Sequence, residues 1–244
     1  MNDPSNIAQD ESNEISYMTT GQDLPISLDT DSSKYQFSRA LRILSNPRST
    51  QAEEIGALRA HLLANHLRER RRSLVVCGAS ADVGCTQIIA SIGVALALAG
   101  VRTLLIDANM RSPGLESVIS PVQPVTGLRQ CLEGTAYLSD SICPNVVSGL
   151  SLLYSGGISN HPQELLSSAD FSALATDCMR DFDLVLVDVP PGNQCADAQI
   201  VATVLRYALV VTRKNISFLS DVKLLVRQFE DSGALVIGTF LNDA

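Results

Sequence analysis

Leu74-Val75-Val76-Cys77-Gly78-Ala79-Ser80-Ala81-Asp82-Val83-Gly84-Cys85-Thr86 runs directly into the aliphatic stretch Ile88 to Ala99. Leu74–Cys77 reads as a buried strand, the glycine-bounded segment after it as a loop, and Thr86–Ala99 as a helix packed on an apolar face. Strand, loop and helix follow one another in the order of the phosphate-binding motif G-x-x-x-x-G-K-[ST]. In that motif backbone N–H groups and the helix N-terminus cradle phosphates, the lysine meets the β/γ oxygens and the hydroxyl holds Mg²⁺. Gly84 and Thr86 occupy the positions of the second glycine and the hydroxyl, but Cys85 replaces the lysine. Asp82 also places a carboxylate inside the loop, where it opposes phosphate. Losing one charge-assisted hydrogen bond costs about 1.5–3 kcal/mol, and the like charge adds repulsion. ATP binding is therefore expected to be weak or absent.

Outward from this loop, short β-rich runs alternate with longer helical stretches, the pattern of βαβ units in a parallel sheet. The runs are 74–77, 103–107, 150–154, 184–188, 208–212 and 235–241, and the helical stretches are 86–99, 127–132, 162–179, 196–205 and 218–229. The expected fold is α/β: a doubly wound, mostly parallel sheet flanked by helices in three layers, like a P-loop NTPase. Ligands of such sheets bind at the carboxyl ends of the strands. Two apolar strands each deliver an aspartate there, Leu104-Leu105-Ile106-Asp107 and Leu184-Val185-Leu186-Val187-Asp188. Two carboxylates converging beside a phosphate loop suit Mg²⁺ and the activation of an attacking hydroxyl.

Composition narrows the partners. The net charge of −8 argues against sequence-independent nucleic-acid binding, which needs a surplus of Lys and Arg. Arg68, Arg70, Arg71 and Arg72 form a local basic cluster, read as a solvated helix end. The six cysteines are scattered, with no C-x-x-C pair and no histidine at zinc spacing, which fits a reducing compartment. Cys85 at a helix N-terminus has the placement of a low-pKa redox thiol, weighed against a small buried residue with no chemistry. His61, His66 and His161 form no triad or ligand pattern and are assigned to surface or helix-end positions. No signal peptide and no apolar run of about 18 residues is present, so a cytoplasmic protein is expected.

The chain divides into an acidic segment, 1–36, expected to be disordered, a lead-in segment, 37–72, and a phosphate-loop domain, 73–244. In the lead-in, Thr50 and Glu53 form a capping-box pattern, with Ile55, Leu58 and Leu62 at helical spacing through about His66.

Taken in order, these segments resemble the bacterial tyrosine autokinases of exopolysaccharide and capsule synthesis, within the deviant-Walker branch that also holds the MinD/ParA ATPases. The likeness spans roughly Pro47 to Asn242. It rests on Glu53–Arg59, on Leu104–Pro113 (LLIDANMRSP), on Asn160–Leu166 (NHPQELL), on Asp183–Pro191, on Ala196-Asp197-Ala198 and on Arg213-Lys214-Asn215. The resemblance implies nucleotide contacts at Gly84, Cys85, Thr86, Arg213 and Lys214. It implies Mg²⁺ at Thr86, Asp107 and Asp188, and activation of a tyrosine hydroxyl by Asp107 and Asp188. It further implies ATP and Mg²⁺ as cofactors, and a membrane-embedded chain-length determinant met at the cytoplasmic face as partner.

Departures from the pattern point to impaired catalysis. Cys85 replaces the lysine and Asn109 the second Asp of the D-x-D element, and Gly56 replaces the first Arg of the helix's E-x-x-R-x-x-R oligomerisation motif, leaving Arg59. The tyrosines, Tyr17, Tyr35, Tyr137, Tyr154 and Tyr207, are dispersed where the family clusters them after the last strand. Weak or no homo-oligomerisation is expected. The alternatives are an active autokinase, with Lys214 or a neighbour's arginine supplying the missing charge, and a MinD/ParA-type ATPase. The latter carries a further signature lysine early in the loop, where this chain has Ala79 and Ser80.

Overall fold

The computed structural model describes residues 34–243. The acidic segment preceding Lys34 lies outside them. In chain order the elements are β1 (Tyr35–Phe37), α1 (Arg42–Ser45), α2 (Thr50–His61), β2 (Ser73–Gly78), α3 (Cys85–Leu98), β3 (Thr103–Asp107), α4 (Leu115–Val118) and β4 (Ile119–Pro121). There follow α5 (Leu128–Leu132), α6 (Leu138–Ser141), β5 (Cys143–Val147), β6 (Leu150–Leu153), α7 (Pro162–Leu166) and α8 (Ala169–Asp181). The last are β7 (Leu184–Asp188), α9 (Asp197–Leu205), β8 (Tyr207–Arg213), α10 (Leu219–Asp231) and β9 (Leu235–Asn242).

Seven strands form one sheet in the order β5-β6-β3-β7-β2-β8-β9, parallel except for the edge strand β5. The side chains of β2 alternate, and that alternation builds two cores. Leu74 and Val76 join α3 (Ile88, Ile92, Leu96) and the lead-in residues Leu41, Ile55 and Leu62 on one face. Val75 and Cys77 join Phe171 and Leu174 of α8, Val201 of α9 and Phe229 of α10 on the other. Strands buried on both faces read as continuous apolar runs, which is why β2, β3, β6 and β7 are visible in the sequence, and β8 and the half-exposed edge strand β9 are visible through the same aliphatic content. The fold is the three-layer α/β arrangement expected.

Several local expectations are corrected. β5 carries Pro144 and an Asn145 at φ +50°, signals that mask an edge strand. β1 and β4, three residues each, pair only with one another. The stretch 162–179 is two helices: the first closes at Ser167, and Ser168 caps the next by accepting from Phe171 N at 3.2 Å. The cap of α2 is Ser49, which accepts from Ala52 N at 3.3 Å, rather than Thr50. That helix continues as a π-helical turn, Leu62–Leu67. His66 lies in the turn, buried rather than at the surface, with Nε2 at 3.0 Å from Ser73 O and its ring edge-on to Tyr207. Of the basic cluster, Arg71 lies over the Tyr207 ring, 5.0 Å from its centre, and pairs with Glu69.

Candidate nucleotide site

The loop between β2 and α3 is shaped by two glycines. A Cβ on Gly78 would lie 2.4 Å from Val83 Cγ2 and 3.0 Å from Ser80 O, so the absence of a side chain lets the loop fold back over it. Gly84 is left-handed (φ +79°), and a Cβ on it would lie 2.7 Å from Asn242 Nδ2. The ends of two neighbouring strands brace the loop from outside. Asn242 Nδ2 donates to Val83 O at 2.9 Å, and Arg213 Nη1 donates to Asp82 O at 3.0 Å. Asp82 itself is left-handed, at φ +59°. Helix α3 starts without a side-chain cap, so its first-turn N–H groups remain available to an anion.

Asp107 and Asp188 end β3 and β7 as cross-strand neighbours, and both are buried. Asp107 organises the next loop: Oδ1 accepts from Asn109 N (3.0 Å), and Oδ2 from Gly114 N (3.1 Å) and Leu115 N (3.0 Å). Asp188 Oδ2 accepts from Thr86 Oγ1 at 2.6 Å, while its Oδ1 is buried without a partner. Burial, followed by the nearby Asp107 charge, pushes the Asp188 carboxyl up to about 8. Burial raises Asp107 to about 6 against the lowering pull of its three backbone donors.

Cys85 is not the activated thiol considered for a helix N-terminus. Its Sγ donates to Val76 O at 3.4 Å, and burial together with the Asp188 charge pushes the thiol well above its usual range.

A cleft of about 390 Å³ opens at these strand ends, between the loop 80–87 on one side and Asn109, Arg111, Ser112, Ser117 and Gln194 on the other. Of the residues expected at the site, Gly84, Cys85 and Thr86 line it, and Asp107 and Asp188 lie buried behind that lining. Arg213 braces the loop from outside the cleft, and Lys214 Nζ pairs with Asp243 at 3.1 Å. Arg111 and Asn242 were not assigned from the sequence. Arg111 is the one cationic side chain among the described residues lining the cleft, and its ion pair joins it to Asp197.

The donor set suits Mg²⁺ only in part. Thr86 Oγ1 and the orphaned Asp188 Oδ1 are hard oxygen ligands, but no group of three His, Cys, Asp or Glu side chains among the described residues could cage a metal. A magnesium ion would have to bring phosphate oxygens and water with it, its usual habit.

No family model matches the chain. It is 28% identical over 202 residues to the putative tyrosine-protein kinase CapB of Staphylococcus aureus, covering 83% of this chain and 88% of that one. It is 29% identical over 209 residues to the tyrosine-protein kinase wzc of Salmonella typhi, covering 86% of this chain but only 29% of the longer relative. The homologues of this chain are bacterial tyrosine-protein kinases. Solved kinase-family structures superpose closely: the kinase domain of Escherichia coli tyrosine kinase ETK has a TM-score of 0.77 at 26% identity, covering 84% of this chain and 80% of that one. The chimerical protein CapA2B2 has a TM-score of 0.76 at 27% identity, covering 85% and 91%. The septum site-determining protein MinD of Pyrococcus horikoshii, solved with Mg-ADP, shares the fold, with a TM-score of 0.60 at 22% identity over 70% of each chain. Among the described residues of this kinase homologue, no helix is long and apolar enough to cross a membrane.

Proposed function

We propose that this kinase homologue acts in capsule or exopolysaccharide synthesis as a cytoplasmic protein with weakened Mg·ATP chemistry, docked on a membrane-embedded chain-length determinant. The observation that carries the weakened chemistry is the state of the phosphate loop. Cys85 stands at the lysine position with its thiol bonded to Val76 O. Lys214, the candidate substitute, is held by Asp243. The pathway and the partner rest on the relatives and on the motif resemblance. Nucleic acid is not expected as a partner, given the net charge of −8.

Calorimetry with Mg·ATP tests the reading. The wild-type chain should bind at least about tenfold more weakly than a lysine-bearing relative, the loss of one charge-assisted contact. The double substitution Cys85→Lys with Asp82→Gly should recover binding. Submicromolar wild-type affinity would sink the proposal.

The intact Thr86–Asp188 hydrogen bond favours a second reading, an active tyrosine autokinase. Transfer of labelled phosphate from ATP onto the purified chain decides between the two. A MinD/ParA-type ATPase has the least support, because Ala79 and Ser80 occupy the region of that group's extra lysine.

A further inference from the structure

Arg111 leaves the loop that Asp107 organises, so its backbone position is set by a buried carboxylate. A second buried carboxylate sets its side chain. Nε donates to Asp197 Oδ2 at 2.8 Å and Nη2 to Asp197 Oδ1 at 3.0 Å, with the Asp197 side chain fully buried and the Arg111 side chain 41% exposed. This two-point grip through Nε and Nη2 fixes the guanidinium plane, with the Cys195 side chain as a further neighbour, while the half-exposed guanidinium still borders the cleft. On its own side of the cleft its neighbours Asn109, Ser112 and Gln194 add neutral groups, and the acid of the lining, Asp82, stands on the loop opposite. Asn109 stands where an aspartate is expected, and its Oδ1 is taken by Ser112 N at 3.1 Å, leaving the amide N–H groups available. Opposite this wall stands the uncapped start of α3, with the carboxylate of Asp188 buried behind the lining.

We propose that Arg111, positioned by Asp197, is the anion-binding residue of this cleft, taking the phosphate group of a phosphorylated ligand in place of the missing loop lysine. The inference rests on the reading of the cleft as a degenerate nucleotide site. Because Asp197 neutralises part of the guanidinium charge, the contact is weaker than a free lysine's, consistent with reduced rather than abolished phosphate binding.

Inorganic pyrophosphate, titrated calorimetrically into the full chain without Mg²⁺, tests the assignment. Wild type should bind measurably, and Arg111→Gln should lose at least about tenfold in affinity, with a smaller dependence of binding on salt. Arg111→Lys should fall between them, since it keeps the charge and loses the fork. Arg102→Gln removes an arginine at the opposite end of β3, where it pairs with Asp183, and should bind like wild type. Asp197→Asn should weaken pyrophosphate several-fold although the arginine is retained. If that variant does not fold, the Arg111 pair of substitutions, checked by thermal melting, carries the test. Arg111→Gln binding within twofold of wild type would overturn the inference, as would no wild-type binding at millimolar pyrophosphate. Either result leaves the proposed function to stand or fall on the Mg·ATP titration and its Cys85→Lys rescue.

Discussion

A carboxylate kept buried beside another carboxylate is a stability liability with a defined pH signature. Asp188 is raised to about 8 in the fold, while an unfolded aspartate titrates near about 4. Between those values the unfolded chain has lost its proton and the native chain still holds it. The contribution of this one group is therefore fully present below about pH 4 and is lost as pH rises toward about 8. Replacing Asp188 with Asn, in Mg²⁺-free buffer, should raise the melting temperature at pH 8, with the advantage shrinking toward pH 4. A wild-type melting temperature that climbs across this range relative to the variant would contradict the assignment. At this scale the sequence is legible wherever a side chain's role follows from its place on a strand end. Asp107 and Asp188 were placed by the apolar strands that end in them, and Thr86 by the order strand–loop–helix. Arg111 was visible only as a letter in a motif, because its partner Asp197 is 86 residues away.

Helix α2 shows what an element keeps and what it loses. Its buried line, Ala52 and Ile55, continues into Leu62 and packs the lead-in against α3. Gly56 sits in the helix interior, and a Cβ added there would meet nothing within 4 Å. Gly56→Ala should therefore stabilise the protein by about 0.5–1 kcal/mol, through the lower conformational entropy of the unfolded chain and better helix propensity. Chemical denaturation would show this as a higher midpoint at unchanged slope, and a lower midpoint would reveal a packing role for the glycine. Elements were most legible where periodicity was uninterrupted: the strands 103–107 and 184–188 have the bounds read from the sequence. They were least legible where a polar side chain intervened. Ser168 divides one helical pattern into two, and the capping serine of α2 lies one residue before the threonine that fits the capping box.

For the whole molecule, the lead-in helix also bears on assembly. With Gly56 in place of an arginine, one bidentate charge donor is missing from the oligomerisation motif of the resembled kinases. Light scattering after size exclusion at micromolar concentration should find a monomer or weak dimer, and a discrete ring-sized species would show that Arg59 and other contacts suffice. The fold class followed from local signals, because doubly buried strands and amphipathic helices advertise themselves through hydrophobic period. The strand–loop–helix order around Gly84 was likewise legible, being contiguous. Strand order, the side-by-side placement of Asp107 and Asp188, the Asn242 brace on a loop 159 residues earlier and the Arg111–Asp197 pair were settled only by tertiary packing. Hydrophobic period records which face of an element is buried, but a hydrogen bond between distant side chains leaves no periodic trace, so it exists only once the sheet has brought its strand ends together.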